Sequence, residues 1–228
     1  MKCFSCVFIL TISLSLMSFL NPKPLNILAV GDSNGVGSDG WVAKLGELNG
    51  ANHIYNTALS GNTVGFNNRS NGAKNTLSNI NRYMNEACKE INHPDVIIIM
   101  LGTNDCKAVY KDNIEVVKKN FEKLVKSIKN HPSFHADKSV IFLLSPPPYG
   151  QDEMLDEKYK GGCQRIPLIQ AFIKELADKE KCVFVDIYSV LLPVFRFITS
   201  DGIHLTPEGQ KMVALVIQDN LKYFSGKQ

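Results

Sequence analysis

The chain has 228 residues, 44% of them hydrophobic and 21% charged, and a formal net charge of +3. That length and apolar content suffice for one globular α/β domain with a sizeable core. The small charge excludes a broadly basic surface: Lys118, Lys119, Lys123 and Lys126 interleave with apolar residues at helical spacing and read as a solvated helix face, so no nucleic-acid partner is expected.

Residues 1–23 differ from the rest. Lys2 is positive, Cys3 through Leu20 carry no charge, and the run stops at Asn21-Pro22-Lys23-Pro24. A positive start before a short apolar run is the pattern of a secretory signal. The run also lies near the lower limit of about 17–25 residues for a membrane span. The segment is read as a signal peptide or a retained N-terminal anchor, and membrane attachment is expected only through it. Either reading places the domain over residues 24–228 outside the cytoplasm, periplasmic or secreted. Export would leave Cys88, Cys106, Cys163 and Cys182 free to form up to two disulfides in any of three connectivities, or to remain thiols. These cysteines include no CxxC pair, and no Cys/His cluster has metal spacing, so no metal site is expected.

The domain opens with Asn26-Ile27-Leu28-Ala29-Val30, a buried strand that runs into Gly31-Asp32-Ser33. A second apolar run, Val96 to Leu101, ends in Gly102-Thr103-Asn104-Asp105. Ile114, Val117, Phe121, Leu124 and Ile128 then form one helical stripe. Val140 to Leu144 is a third strand, stopped by Ser145 and three prolines. Ile166, Ile169, Phe172, Ile173 and Leu176 make a second helical stripe, with Pro167 expected close to its start. Cys182 to Val185 is a fourth strand, ending at Asp186. Thr206-Pro207 caps a last helix carrying Met212, Val213, Val216 and Ile217. Continuous apolar strands alternating with amphipathic helices predict a three-layer α/β/α sandwich around a mainly parallel sheet. In such sheets ligands bind outside the carboxyl ends of the strands, where Ser33 and Asn104 fall.

Acyl transfer by a serine needs a base, a carboxylate to orient the base, and donors for the oxyanion. Ser33, on a strand-to-loop turn beside Gly31, is the candidate nucleophile. His204 is the candidate base, because Asp201 lies three residues earlier on the same loop and can return to the imidazole. His53, His93, His131 and His135 have no such partner. The Asn104 amide, a backbone N–H at Gly61 in Ser60-Gly61-Asn62, and the N–H of Ser33 itself are the candidate oxyanion donors. Each segment alone is an ordinary turn. Their conjunction in this order, spanning nearly the whole domain, is specific.

The blocks Gly-Asp-Ser, Ser-Gly-Asn, Gly-Thr-Asn-Asp and Asp-Gly-Ile-His resemble those of the SGNH (GDSL-like) hydrolase superfamily, with Ser33, Gly61, Asn104 and His204 as the four lettered residues. The resemblance spans residues 25–223 and implies a flavodoxin-like fold with Asp201 as the third triad member. The run from Asp95 to Asp105, the Ser-Pro-Pro-Pro after Leu144 and the Gly161-Gly162 step are similar to bacterial arylesterase/acyltransferase and lysophospholipase/thioesterase-like members. The superfamily implies an ester hydrolase that needs no cofactor. Asn34 departs from the usual Gly-Asp-Ser-Leu, which bears on the lining of the acyl pocket. The short, glycine- and asparagine-rich stretch from Ser33 to Gly61 predicts an open site suited to acetyl or other short acyl groups, or to bulky alcohols such as sugars. The expected partner is therefore a small-molecule or carbohydrate ester. An envelope sugar O-acetyltransferase on the same fold is the rival reading, and a non-catalytic carbohydrate-binding domain a more distant one.

Overall fold

The computed structural model describes residues 24–225, and the N-terminal segment over 1–23 lies outside the described residues. Five strands form one parallel sheet: β1 (Asn26–Gly31), β2 (His53–Asn56), β3 (Val96–Met100), β4 (Val140–Leu144) and β5 (Val183–Val185). Their spatial order is β2-β1-β3-β4-β5, the doubly wound flavodoxin-like order. The predicted three-layer sandwich is the observed architecture. Among the described residues six α-helices connect or follow the strands: α1 (Trp41–Leu48), α2 (Thr76–Ile91), α3 (Ile114–Lys129), α4 (Gly162–Lys179), α5 (Ile187–Leu191) and α6 (Pro207–Ser225).

Side chains alternate across a strand, so each central strand feeds two cores. Leu28, Val30, Ile97, Ile99, Ile141 and Leu143 pack with residues of α2, α3 and α4. Ile27, Ala29, Val96, Ile98, Met100, Phe142 and Leu144 pack with α1, α5 and α6. This two-sided burial is why β1, β3 and β4 read as unbroken apolar runs. The lysine-rich face of α3 is solvated as expected: Lys119, Lys123 and Lys126 are exposed, while Val117, Phe121, Leu124 and Ile128 are buried.

The structure differs from the sequence reading at α4. The helix begins at Gly162, so Pro167 stands within it rather than at its start. Pro167 is the sixth residue of the helix, past the first turn, so its missing N–H leaves the Cys163 carbonyl without its usual i→i−4 donor. No element is expected from the sequence at strand β2 or at helices α1 and α2, although α2 buries Ile80, Tyr83, Met84, Ala87 and Ile91 on one helical stripe. β2 is a four-residue edge strand with His53 and Asn56 exposed, and it borrows its stability from β1. Cys88, Cys106, Cys163 and Cys182 are free thiols, and burial pushes the thiol of Cys182 up to about 11. Among the described residues no helix is long and apolar enough to cross a membrane.

The sheet reverses direction of growth between β1 and β3, and the chain leaves both strands there. In a doubly wound sheet this leaves a crevice at the carboxyl ends. Ser33 and Asn104 follow these two strands.

Candidate active site

Ser33 stands where β1 leaves the sheet. Asp32 Oδ1 accepts from the N–H of Asn34 at 3.0 Å, curling Ser33–Gly35 into one 3-10 turn. A side chain at position 35 would not fit, since a Cβ there would lie 2.8 Å from Ala58 Cβ and 3.0 Å from Trp41 Nε1. Asp32 is fully buried, and burial raises its carboxyl pKa against the opposing hydrogen bond from the Asn34 N–H.

The loop from Thr199 to Leu205 is closed by an antiparallel bridge between its two ends. Thr199 Oγ1 accepts from Gly202 N at 3.0 Å and donates to His204 O at 2.9 Å. Gly202 adopts φ 75°, a left-handed conformation that glycine takes without strain. Its carbonyl accepts from Gly150 N at 2.8 Å, which ties the loop to the chain after β4. Thr206 caps α6 with Pro207 at the first helical position, as expected: its Oγ1 accepts from Gly209 N at 3.4 Å.

On this framework Asp201 turns back onto His204. One carboxylate oxygen accepts from the N–H groups of Ile203 (2.9 Å) and His204 (2.7 Å), and the other lies 2.6 Å from His204 Nδ1. His204 Nε2 lies 3.1 Å from Ser33 Oγ. Burial acts to raise the Asp201 pKa, but the hydrogen bonds from the His204 ring and from the two backbone N–H groups outweigh it and hold the carboxyl below its ordinary value. An ionised Asp201 accepts from Nδ1–H, which leaves Nε2 as the acceptor for the Ser33 hydroxyl. The His204 and Asp201 side chains are 44% and 48% exposed, so this edge of the site is open to solvent.

Asn104 begins a 3-10 turn directly after β3 and is buried. Its Nδ2 donates to Asn62 O at 3.0 Å, and Asn62 Nδ2 donates to Gly31 O at 3.0 Å. Asn62 thus joins the ends of β1 and β3 to the loop carrying Gly61. Gly61 has φ 82°, and its carbonyl accepts from Asn68 Nδ2 at 2.6 Å. The N–H groups of Ser33 and Gly61 donate to no other described residue. One Nδ2 hydrogen of Asn104 is also uncommitted, since an amide carries two. Asp105 anchors the turn from below: its carboxylate accepts from Val64 N at 3.0 Å, and burial pushes its pKa up to about 7. Tyr149 donates its hydroxyl to Thr103 O and lies over Gly162, where a Cβ would come within 2.0 Å of the ring. The Gly161-Gly162 step therefore leaves room for Tyr149 to hold the Asn104 turn.

Asn34 plays a different part from the one its departure from leucine suggested. It is fully buried and is not exposed at the surface of the site. Its Oδ1 accepts from Leu205 N at 3.0 Å and from Gln210 Nε2 at 2.9 Å. The residue next to the nucleophile is thereby bonded to the residue next to the histidine. Asn34→Leu would strand two buried donors, each costing about 1–3 kcal/mol. A fall in thermal midpoint is expected by differential scanning calorimetry, together with a lower kcat; an unchanged midpoint would show that the bonds contribute nothing.

Motif reading did not identify Asn62, Asn34 or Thr199 as supporting residues. A lone asparagine or threonine in a loop carries no signal until its burial and partner are known. Among the described residues no group of three or more His, Cys, Asp or Glu side chains could hold a metal ion.

A sequence model of the GDSL-like lipase/acylhydrolase family matches residues 29–212, which include Ser33, Gly61, Asn104, Asp201 and His204. The chain belongs to this family. As a GDSL-like acylhydrolase of the SGNH superfamily, it is a carboxylic-ester hydrolase. No curated protein matches its sequence. Among solved structures, a carbohydrate acetylesterase family member from Sinorhizobium meliloti is 22% identical, with a TM-score of 0.72 over 88% of this chain and 98% of that one. The inhibitor-bound aryl esterase of M. Smegmatis is 21% identical, with a TM-score of 0.71 over 86% and 98%. At these identities the likeness establishes that the GDSL-like hydrolase shares their fold.

Proposed function

We propose that this GDSL-like hydrolase is an exported serine esterase that removes acetyl or other short acyl groups through a covalent acyl-enzyme. The observation that carries the reading is the unbroken chain from Ser33 Oγ to His204 Nε2 (3.1 Å) and from His204 Nδ1 to Asp201 (2.6 Å). His204 takes the Ser33 proton as Oγ attacks the ester carbonyl. The negative charge that develops on the carbonyl oxygen is met by the N–H groups of Ser33 and Gly61 and the free Nδ2 hydrogen of Asn104. Collapse of the tetrahedral intermediate breaks the C–O bond, and His204 gives its proton to the leaving alcohol. Water, activated by His204, then attacks the acyl-Ser33 carbonyl, and the acid leaves as Oγ regains its proton. Asp201 remains ionised throughout and stabilises the imidazolium.

The preference for short acyl groups and bulky alcohols is supported by the half-exposed His204 and Asp201 side chains, which leave the triad edge open to a large leaving group. The likeness in fold to a carbohydrate acetylesterase points the same way. Export is supported by the uncharged run from Cys3 to Leu20 behind Lys2.

The test is intact-mass labelling with a fluorophosphonate, followed by rates on 4-nitrophenyl esters from acetyl to long chain. One adduct on Ser33 and rates that fall with chain length are expected. No adduct on the folded protein would refute the triad, and a preference for long chains would refute the short-acyl assignment. Asn104→Ala is expected to lower kcat by about 10²–10³-fold with a much smaller change in KM. A change confined to KM would remove Asn104 from the oxyanion site.

A further inference from the structure

Four cations gather beside the loops that carry Gly61 and Asn104. Lys107 follows the Asn104 turn directly and is only 8% exposed. Its Nζ lies 5.5 Å from the centroid of the Tyr159 ring, and Lys158 Nζ lies 5.0 Å from the same centroid. Lys74 reaches in from the other side: a Cβ built on Gly61 would lie 3.4 Å from Lys74 Nζ. Arg69 sits within electrostatic reach of both Lys107 and Lys158. The cluster borders the candidate oxyanion loops, because Lys107 ends the turn begun by Asn104, Asn104 Nδ2 donates to Asn62 O beside Gly61, and Arg69 follows Asn68, whose Nδ2 donates to Gly61 O.

Such a gathering is costly in the free protein. Burial first, and then the charges of Arg69, Lys158 and Lys74, push the Lys107 ammonium down to about 8. Among the described residues, only Lys158 of the four makes a salt bridge, with Asp156 at 2.9 Å. The other three make no direct ion pair among the described residues. Lys107 meets the buried Asp32 and Asp105 only at longer range, and a lysine more than nine-tenths buried without a direct carboxylate partner is rare. An anion placed among them would relieve the mutual repulsion and replace lost hydration with charge-assisted hydrogen bonds.

We infer that Lys74, Lys107 and Arg69, with Lys158 at the rim, form an anion subsite that takes a carboxylate or phosphate group carried by the ester substrate. The inference rests on the esterase reading above and adds the charge of the substrate. The neutral ester would still meet the triad, while the charged one gains contacts on the side of the site that carries Gly61 and Asn104.

Two matched pairs of esters test this and separate the sources of the charge. Mono-4-nitrophenyl succinate against its methyl ester places a carboxylate on the acyl side. Acetylglycerol phosphate against acetylglycerol places a phosphate on the alcohol side. In at least one pair the charged member is expected to be favoured in kcat/KM by on the order of tenfold. That ratio should fall toward one in Lys107→Met, in Lys74→Met and at about 0.5 M sodium chloride. Lys74 is only partly buried, so its variant serves should Lys107→Met fail to fold. Calorimetric titration with succinate and with glycerol 3-phosphate reads the subsite without catalysis, and binding of one of them is expected to be lost in the lysine variants. Equal rates within both pairs, a ratio unchanged in both variants, or binding of neither anion would overturn the subsite. Absence of turnover of 4-nitrophenyl acetate by the native protein would strike the esterase reading instead, and the titration would still decide the subsite.

Discussion

Ser33→Ala is expected to abolish ester turnover, lowering kcat by on the order of 10⁴-fold or more. Without Oγ no acyl-enzyme forms, and what remains is attack by water on an ester held in the oxyanion site. Folding should be nearly untouched. Ser33 is only partly buried, and the substitution removes one side-chain hydrogen bond, to His204, worth about 1 kcal/mol. The measurement is kcat on 4-nitrophenyl acetate beside a thermal melt, with fluorophosphonate mass labelling of both proteins. Loss of both rate and adduct with an unchanged melt would assign the nucleophile. Retained turnover would show that the hydroxyl beside His204 is a bystander.

His204→Ala should be comparably severe, because Ser33 at neutral pH is a weak nucleophile without a base at Nε2. The more discriminating result lies in the double variant. Residues that act as one unit do not contribute independently, so Ser33→Ala with His204→Ala should be little slower than either alone. Rates that multiplied would mean that the 3.1 Å contact is not a catalytic coupling. His204→Ala also leaves Asp201 without its ring partner, but that carboxylate keeps two backbone donors and is half exposed. No large stability loss is expected from it.

The two kinds of residue in this site differ in how visible they were from sequence. Ser33, Asn104, Asp201 and His204 were legible because each follows a strand or precedes a capped helix, and because Asp201 and His204 share one short loop. Gly61 was legible only through its place in the order of blocks. The strands β1, β3 and β4 were legible because burial on both faces demands unbroken apolar runs, which few other structures require. β2 was not, because an edge strand of four residues with half-exposed side chains has no pattern to show. The helix start at Gly162 was hidden by Pro167, which usually marks a first turn but here lies inside the helix.

The anionic preference stands apart from the triad in this respect. Lys74, Lys107 and Lys158 are scattered through the sequence as ordinary lysines, and only the close approach of three loops makes them neighbours.

The sequence alone determined the layer architecture, the parallel sheet and the chemical types at the site. These depend on local periodicity and on residue identity at strand ends, both written along the chain. Only the tertiary structure decided how the parts are held. Asn34 bonds Leu205 and Gln210, Asn62 bridges Gly31 and Asn104, and Asp105 holds Val64, each across 31 to 176 residues. A buried polar side chain gains its role from the partner that satisfies it, and no local pattern names a partner so far away.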